Sequence, residues 1–184
     1  MSELLAPAGT LEKLKWAVQY GADAVYFGLK DFSLRSFAGN FTLDEAQEGI
    51  DFLHKQNKKG YVTLNIYPFT EEYDSLLETV QALQEIGVDA CIISDLGVIH
   101  LLKQNNIKIP IHISTQANTI SAQAALAYKE LGAKRVNLAR ELSLTNIQDI
   151  QIFLQGRIET EVFIHGSVCY SYSGRCSISD YLTE

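Results

Sequence analysis

The stretch EIGVDACIIS, residues 85–94, carries the pattern that decides the fold. It contains the end of an amphipathic helix, a glycine that can take the left-handed helix-ending conformation, a short polar turn and an apolar run. The stretches QYGADAVYFG at 19–28 and ELGAKRVNLA at 130–139 repeat the same order. A helix, a glycine turn and an apolar strand make the second half of a β-α-β unit, so repeats of that unit build this chain.

The same alternation extends along the whole chain. It predicts strands near residues 3–6, 24–29, 60–66, 90–95, 109–115, 134–139 and 160–165. It predicts helices near 10–20, 43–57, 71–86, 96–105, 119–131 and 143–155, with Thr10, Thr42 and Ser143 as N-cap residues. Strands that are apolar on both faces and joined by helices form a parallel sheet covered by helices.

A (β/α) barrel of the TIM type explains this pattern better than a doubly wound sheet. The first strand is followed by APAGT, residues 6–10, which is not a glycine-rich phosphate-binding sequence. A closed barrel needs eight strands and typically about 250 residues. We therefore expect an incomplete barrel of about seven parallel strands and six helices. It would form a single domain over residues 1–184, with part of the barrel missing at the C-terminal end.

Composition limits the classes of partner. The chain has 15 Lys and Arg residues against 22 Asp and Glu residues, a formal net charge of -7, so its surface as a whole repels polyphosphate. No stretch has the roughly 20 uninterrupted apolar residues that span a bilayer, and the first residues do not read as a signal peptide, so we expect a cytoplasmic protein. Cys91 lies in an apolar run, which makes a disulfide framework a poor expectation.

Polar residues follow nearly every predicted strand. In parallel barrels the carboxyl ends of the strands hold the active site, so these side chains are expected at one mouth. We expect catalytic roles for His165, Glu141 and Asp95. We expect substrate binding by Asn65, Gln116 and Arg140. The alternative is that each is a cap or turn residue, and for His112, inside a predicted strand, a hydrogen-bonded core position is the default.

Two loops add further candidates. The long segment KDFSLRSFAGNFT, residues 30–42, contains Arg35, which could bind a carboxylate or phosphate or could simply be solvated. The segment FIHGSVCYSYSGRCSIS, residues 163–179, contains Cys169 and Cys176. Thiolates in glycine-bearing turns can ligate a metal, although this spacing alone favours two ordinary free thiols.

Several of these stretches together resemble the peptidase U32 family, also called collagenase-like proteases. The resemblance rests on ELLAPAG, GADAVYFG, YVTLN, ISDLGVI, IHISTQAN, RVNLAREL and EVFIHGSVCYSYSGRCSISDYL, between residues 3 and 182. It implies a (β/α) barrel of which residues 1–184 are the N-terminal portion, in a longer U32-type protein whose sequence continues with further cysteines. It also implies a 4Fe-4S cluster held by four cysteines, with Cys169 and Cys176 at the first two ligand positions.

The resemblance implies two kinds of activity. Some members are called peptidases, while others are hydroxylation factors for a uridine or cytidine in tRNA or rRNA, with prephenate as a required metabolite, or for a quinone precursor. We favour the iron-sulfur-dependent hydroxylation factor, with an RNA substrate or a small-molecule carboxylate as partner, because no GxSxG or HExxH motif is present. A genuine peptidase and a non-catalytic partner subunit remain alternatives. The unpaired edges of seven strands would favour a homodimer or a complex with another chain.

Overall fold

The computed structural model describes residues 2–30, 32, 40–166 and 171–174. Strands and helices alternate along these residues. The strands are β1 (Leu5–Pro7), β2 (Ala24–Gly28), β3 (Lys59–Leu64), β4 (Ala90–Ile93), β5 (Ile111–Ile113), β6 (Ala133–Asn137) and β7 (Glu159–Glu161). The helices are α1 (Leu11–Gln19), α2 (Leu43–Lys55), α3 (Tyr73–Ile86), α4 (Leu96–Gln104), α5 (Ala122–Glu130) and α6 (Leu144–Leu154). Short 3-10 helices lie at Thr70–Glu72 and Thr115–Ala117.

The strands follow one another in the sheet in chain order, from β1 to β7. Parallel pairing is described for β1 with β2, β2 with β3, β3 with β4, and β6 with β7. Between β4 and the start of β5, the Cys91 N–H donates to the Pro110 carbonyl at 2.9 Å. The predicted fold class, a β/α-barrel architecture with seven strands and six helices in the described residues, is confirmed.

Two compact units make up the chain, Met1–Ile111 and His112–Glu184. In the first unit, Ala24, Tyr61, Ala90 and Ile92 form a buried cluster. The Tyr61 hydroxyl donates to the Glu3 carboxylate at 2.8 Å, which satisfies its polar group inside this apolar surrounding. In the second unit, Val136 and Leu138 from β6 and the residue after it, Ala125 from α5 and Ile150 and Leu154 from α6 are buried. The single domain expected over residues 1–184 stays a prediction.

The helix starts match the cap residues chosen from the sequence. Thr10, Thr42 and Ser143 are each the N-cap of the helix that follows, and each side chain accepts a hydrogen bond from a backbone N–H of the first turn. At Thr42 the bonding is reciprocal, because its own N–H donates to Glu45 Oε2 at 2.8 Å. Such a capping box satisfies two N–H groups that the helix leaves free.

The last strand is shorter than its sequence suggests. The apolar run predicted a strand over 160–165, but β7 ends at Glu161, which pairs with Asn137 at the end of β6. Beyond that pair, the Leu138 N–H still donates to the Glu161 carbonyl, while Leu138 itself bridges to Thr119. Phe163 and Ile164 are consequently 50% and 81% exposed. The ladder ends because its partner strand ends, although the sequence stays apolar.

A bridge also explains why α5 begins later than predicted. Thr119 is completely buried and occupies an isolated parallel bridge with Leu138, so the helix starts only after Ser121, its N-cap. Among the described residues, no helix combines the length and the apolar character needed to cross a bilayer.

Candidate functional site

Two of the predicted site residues, Arg140 and Glu141, follow β6 and bind residues 171–174. The Arg140 guanidinium donates from Nη2 to the Ser171 carbonyl at 2.9 Å and from Nε to Ser173 Oγ at 3.3 Å. The Arg140 backbone N–H also approaches Ser173 Oγ, at 3.4 Å. In return, the Ser173 N–H donates to Glu141 Oε1 at 2.7 Å. We call residues 171–174 the anchored segment.

The anchored segment lies directly against the 3-10 helix Thr115–Ala117. Gly174 has a φ of +73°, and a Cβ at this position would stand 2.3 Å from the carbonyl oxygen of Gln116. Ser173 beside it is only 1% exposed. Glycine permits both this conformation and this approach, whereas a larger residue here would force the segment or the Gln116 backbone to shift.

The electrostatics of Glu141 follow from these contacts. Burial acts to raise its pKa, but N–H groups of Ser173 and of Glu141 itself, the Ser173 hydroxyl and the charge of Arg140 together hold that pKa below its ordinary value. Glu141 is therefore ionised near neutral pH. An ionised carboxylate suits the binding of the Ser173 N–H, and the catalytic role expected from the sequence stays a prediction.

Asp95, expected to be catalytic, is the N-cap of α4. Its Oδ1 accepts from the Val98 N–H and from the Tyr73 hydroxyl, each at 3.0 Å. Burial raises the pKa of Tyr73, and the hydrogen bond to Asp95 and its negative charge raise it further. The geometry accordingly gives Asp95 the cap function that the sequence had left open as an alternative.

The remaining candidates have more varied positions. Asn65 follows β3, is half-buried, and its Oδ1 has no hydrogen-bond partner among the residues that the structure describes. Gln116 lies in the 3-10 helix under the anchored segment. His165 stands four residues beyond the end of β7 and is exposed. Arg35, Cys169 and Cys176 lie outside the described residues.

Gln116, Arg140 and Glu141 are thus brought together through the anchored segment, all within the second unit. His165 belongs to the same unit, whereas Asn65 and Asp95 belong to the first. The single mouth that all six were expected to share stays a prediction. His112, expected in the core, lies in β5 and is 7% exposed.

A polar network across β6 and β7 was not foreseen from the sequence. The buried Arg135 binds Glu159 Oε2 from Nη2 at 2.7 Å and from Nε at 2.9 Å, and approaches Glu161 at 3.4 Å. Asn137 Nδ2 donates to Glu161 Oε1 at 2.9 Å. Arg135 and Asn137 are two residues apart in β6, and Glu159 and Glu161 are two apart in β7, so the members of each pair share a face of the sheet. This alternation was the signal available in the sequence.

The described residues do not supply a complete metal site. Among them, no group of three or more His, Cys, Asp or Glu side chains is placed to hold a metal ion. Burial raises the pKa of Cys91 to about 12, which keeps this thiol protonated and unsuited to ligation. The chain therefore offers at most two of the four thiolates of the expected cluster, those of Cys169 and Cys176, and we derive no reaction step through that group.

Residues 9–184 match the family described as Peptidase family U32. The chain belongs to this family. The match covers both compact units and includes the anchored segment, Arg140 and Glu141. The family resemblance noted from the sequence is confirmed.

Among U32 relatives, the tRNA hydroxylation protein P of Helicobacter pylori is 48% identical over 178 residues, which are 96% of this chain and 42% of the relative. An "uncharacterized protease" of Methanocaldococcus jannaschii is 42% identical over 185 residues, covering 99% of this chain and 45% of the relative. The chain thus spans less than half the length of these two proteins.

A solved structure, that of the U32 peptidase Mk0906, has the same fold. Its TM-score is 0.70, and the superposition covers 88% of this chain and 67% of that one. The sequences are only 14% identical, so this likeness concerns the fold alone.

Proposed function

We propose that the full-length U32 protein to which these residues belong is a hydroxylation factor for RNA. The observation that carries this proposal is the 48% identity, over nearly the whole chain, to a protein named for tRNA hydroxylation. A variant of this proposal has the same activity on a different substrate, in which the barrel binds and hydroxylates a quinone precursor instead of RNA.

In this proposal Cys169 and Cys176 provide two of the four thiolates of a 4Fe-4S cluster, and the rest of the protein provides the others. Such a cluster, when bound, supplies one-electron transfer. Arg140 and Glu141 hold the protein segment that joins the two thiols. The ionised Glu141 is ill suited to accept a proton near neutral pH. We therefore assign proton transfer to His165, which is exposed and carries an imidazole ring, the side chain that most often serves as a general acid or base.

We assign substrate binding to two of the candidate side chains, Asn65 and Arg35. The buried Asn65 Oδ1, without a partner in the described part of the chain, can accept a hydrogen bond from a substrate N–H or O–H. Arg140 is already bound to Ser171 and Ser173, so a small-molecule carboxylate is better assigned to Arg35.

RNA binding needs a positive surface that this acidic stretch lacks as a whole. With a formal net charge of -7, these 184 residues repel a phosphate backbone. We therefore assign the main phosphate contacts to the part of the protein beyond this stretch. We place the protein in the cytoplasm, where RNA substrates lie and thiol ligands stay reduced.

The experiment compares RNA from cells with and without the gene. Nucleosides released from total tRNA and rRNA are separated and weighed by mass spectrometry. We expect a hydroxylated pyrimidine to be lost on deletion, to return with the wild-type gene, and to stay absent with Cys169→Ser or Cys176→Ser. An unchanged nucleoside profile after deletion would refute the proposal for RNA, and an unchanged quinone profile would refute its variant.

Peptidase activity is the second candidate, supported by the family name and by the relative from Methanocaldococcus jannaschii. Its test is hydrolysis of gelatin by the purified full-length protein. Activity that survives chelators and is lost in Cys169→Ala would establish a peptidase with a thiol nucleophile. A non-catalytic subunit would instead form a stable dimer or hetero-complex in solution and show neither activity.

A further inference from the structure

An open groove lies between the start of α5 and helix α6, within the second unit. Its volume is about 290 Å³, and its apolar walls come from Ile120, Ala122, Ile150 and Phe153. Small-molecule pockets usually measure about 300–1,000 Å³ and enclose most of the ligand. This groove is at the lower limit of that range and is open to solvent, so it suits a protein side chain better than a separate small molecule.

Apolar side chains continue from the groove onto the exposed side of α6. Ile152 is 63% exposed, and Ile120 and Phe153 are each close to half exposed. Asp149 is three residues before Ile152 and four before Phe153, and residues at these spacings are neighbours on a helix surface. We call Ile120, Asp149, Ile152, Phe153 and Arg157 the α6 patch. Adjacent exposed apolar side chains with a polar rim are typical of a protein–protein interface.

The α6 patch carries opposite charges at its two ends. Asp149 lies one helical turn before Phe153 and is exposed, and its carboxylate has no hydrogen bond or ion pair among the residues that the structure describes. The Arg157 guanidinium lies at the C-terminal end of α6, where Nε and Nη2 donate to the carbonyls of Leu154 and Phe153. It also stands 5.3 Å from the centroid of the Phe153 ring. Within the described part of the chain nothing accepts from its Nη1, which keeps two N–H donors for a further partner.

This order of charges makes the α6 patch complementary to itself. A two-fold axis through Phe153 reverses the direction of α6 in a second copy. The carboxylate before the ring then meets the guanidinium after the ring of the other copy. Because a two-fold interface contains each contact twice, the same ion pair forms on both sides of the axis. The apolar side chains lie between the two ion pairs, and each groove faces the Phe153 ring of the other copy.

We propose that the α6 patch is a dimer interface at which two copies of this protein meet about a two-fold axis. Phe153 of each copy enters the groove of the other, and Asp149 of each copy pairs with Arg157 of the other. This inference does not depend on the proposed function. It also differs from an association through the strand edges, since the five residues lie in α6 or beside α5 and α6.

Two other occupants fit the α6 patch less well. An RNA backbone would bring phosphates towards the Asp149 carboxylate and towards apolar side chains that offer no hydrogen-bond donor. Another segment of the same protein would need a basic group for Asp149 and an acidic group for Arg157 at the matching spacing. A second copy supplies both groups by symmetry, so charge complementarity favours it.

The test measures the association of the full-length protein by sedimentation equilibrium, at concentrations from about 1 µM to about 1 mM. Asp149→Arg and Arg157→Glu each place like charges opposite one another, whereas the double variant restores opposite charges. Phe153→Gln removes the ring at the axis. The matched control is Leu144→Gln, since Leu144 also lies on α6 and is more exposed than Phe153 but is outside the α6 patch. Circular dichroism and urea unfolding first establish that each variant is folded.

We expect an equilibrium between monomer and dimer in the wild type. The dissociation constant should rise at least about tenfold in Asp149→Arg, Arg157→Glu and Phe153→Gln. The double charge variant should return to within about threefold of the wild type, and Leu144→Gln should match the wild type. Should Arg157→Glu fail to fold, Asp149→Arg and Phe153→Gln still decide the matter, because neither removes the side-chain bonds of Arg157 to the helix carbonyls.

Three results would overturn the inference. The first is a wild type that stays monomeric up to about 1 mM. The second is a dimer whose dissociation constant is the same in every variant, because its association would then use another surface. The third is weaker association in both single charge variants without recovery in the double variant, because the two-fold pairing of Asp149 with Arg157 requires that recovery.

A second measurement identifies what covers the patch. Hydroxyl radicals oxidise exposed side chains, and mass spectrometry quantifies the oxidation of Phe153 at low and high protein concentration. We expect this oxidation to fall at least about threefold as the dimer forms, while oxidation of Leu144 stays constant. A Phe153 side chain that is already protected at about 1 µM would show that another part of the same protein covers the patch, and would overturn the inference.

Discussion

Replacing Gly174 by alanine is expected to release the anchored segment from the 3-10 helix Thr115–Ala117. The added Cβ would stand 2.3 Å from the Gln116 carbonyl oxygen and 3.3 Å from Asn118 Cβ. Neither the oxygen nor a Cβ can move without moving its backbone. Real Cβ atoms do not approach an oxygen this closely, so the segment must shift or detach.

The magnitude follows from two contributions. An alanine held at a φ of +73° costs about 1–2 kcal/mol relative to glycine. Detachment removes hydrogen bonds of Ser173 to the charged Glu141 and Arg140, and bonds of this kind contribute about 1.5–3 kcal/mol each when their partners are buried. Because the segment can leave rather than suffer the full clash, its own binding energy limits the loss. We expect the free energy of unfolding to fall by about 2–4 kcal/mol.

Gly156 provides a matched control. It has the same φ of +73°, but a Cβ added there would find no atom within 4 Å. Gly156→Ala should therefore lose only the conformational contribution of about 1–2 kcal/mol. Urea unfolding followed by circular dichroism gives both values, and hydrogen exchange reports whether the Ser173 amide loses protection. Equal losses in the two variants, with the Ser173 amide still protected, would refute the close approach.

Three further predictions concern single side chains. Glu141→Gln should make the stability of the fold less sensitive to acid. The pKa of Glu141 in the folded protein lies below its ordinary value of 4.5. The ionised carboxylate therefore stabilises the fold above pH 4.5, and this stabilisation is lost as the pH falls through the lowered pKa. Urea midpoints at about pH 6 and about pH 3.5 check this, and an unchanged difference between wild type and variant would contradict it. Thr42→Ala should lower the free energy of unfolding by about 1 kcal/mol, because it removes the capping box at the start of α2. The control is Thr79→Ala, since the Thr79 hydroxyl donates to the carbonyl of Ser75 within α3. In the same urea titration this variant should lose less than about 0.5 kcal/mol. Cys91, fully buried and with a pKa raised to about 12, should resist iodoacetamide at about pH 8 until the protein unfolds; mass spectrometry that found it alkylated at the rate of a free thiol would contradict the burial.

Short stretches of sequence were enough to predict most of the helices and strands. The glycine of EIGVDACIIS adopts a φ of 83° at the end of α3, and the three chosen N-cap residues begin their helices. These features depend on interactions within a few residues, which the sequence shows directly. The length of β7 depends instead on where β6 stops pairing, and no property of the run VFI encodes the end of a neighbouring strand.

The candidate site divides in the same way. That Arg140 and Glu141 follow a strand is local information, and β6 ends just before them. Their partners lie more than thirty residues away in sequence, at Ser171 and Ser173, and only the folded chain brings those groups within hydrogen-bond distance. The network of Arg135 with Glu159 and Glu161 joins residues that are 24 and 26 positions apart, and only the pairing of β6 with β7 brings them together.

A polar residue at a strand end can serve chemistry or hold a loop, and its partners decide between the two. Asp95 binds a helix N-terminus and Tyr73, so its carboxylate is used within the first unit. Arg140 and Glu141 bind Ser171 and Ser173, so their side chains hold residues 171–174 within the second unit. A residue of this second kind holds a loop, and its substitution should lower the protection of the Ser173 amide from hydrogen exchange even when the protein remains folded.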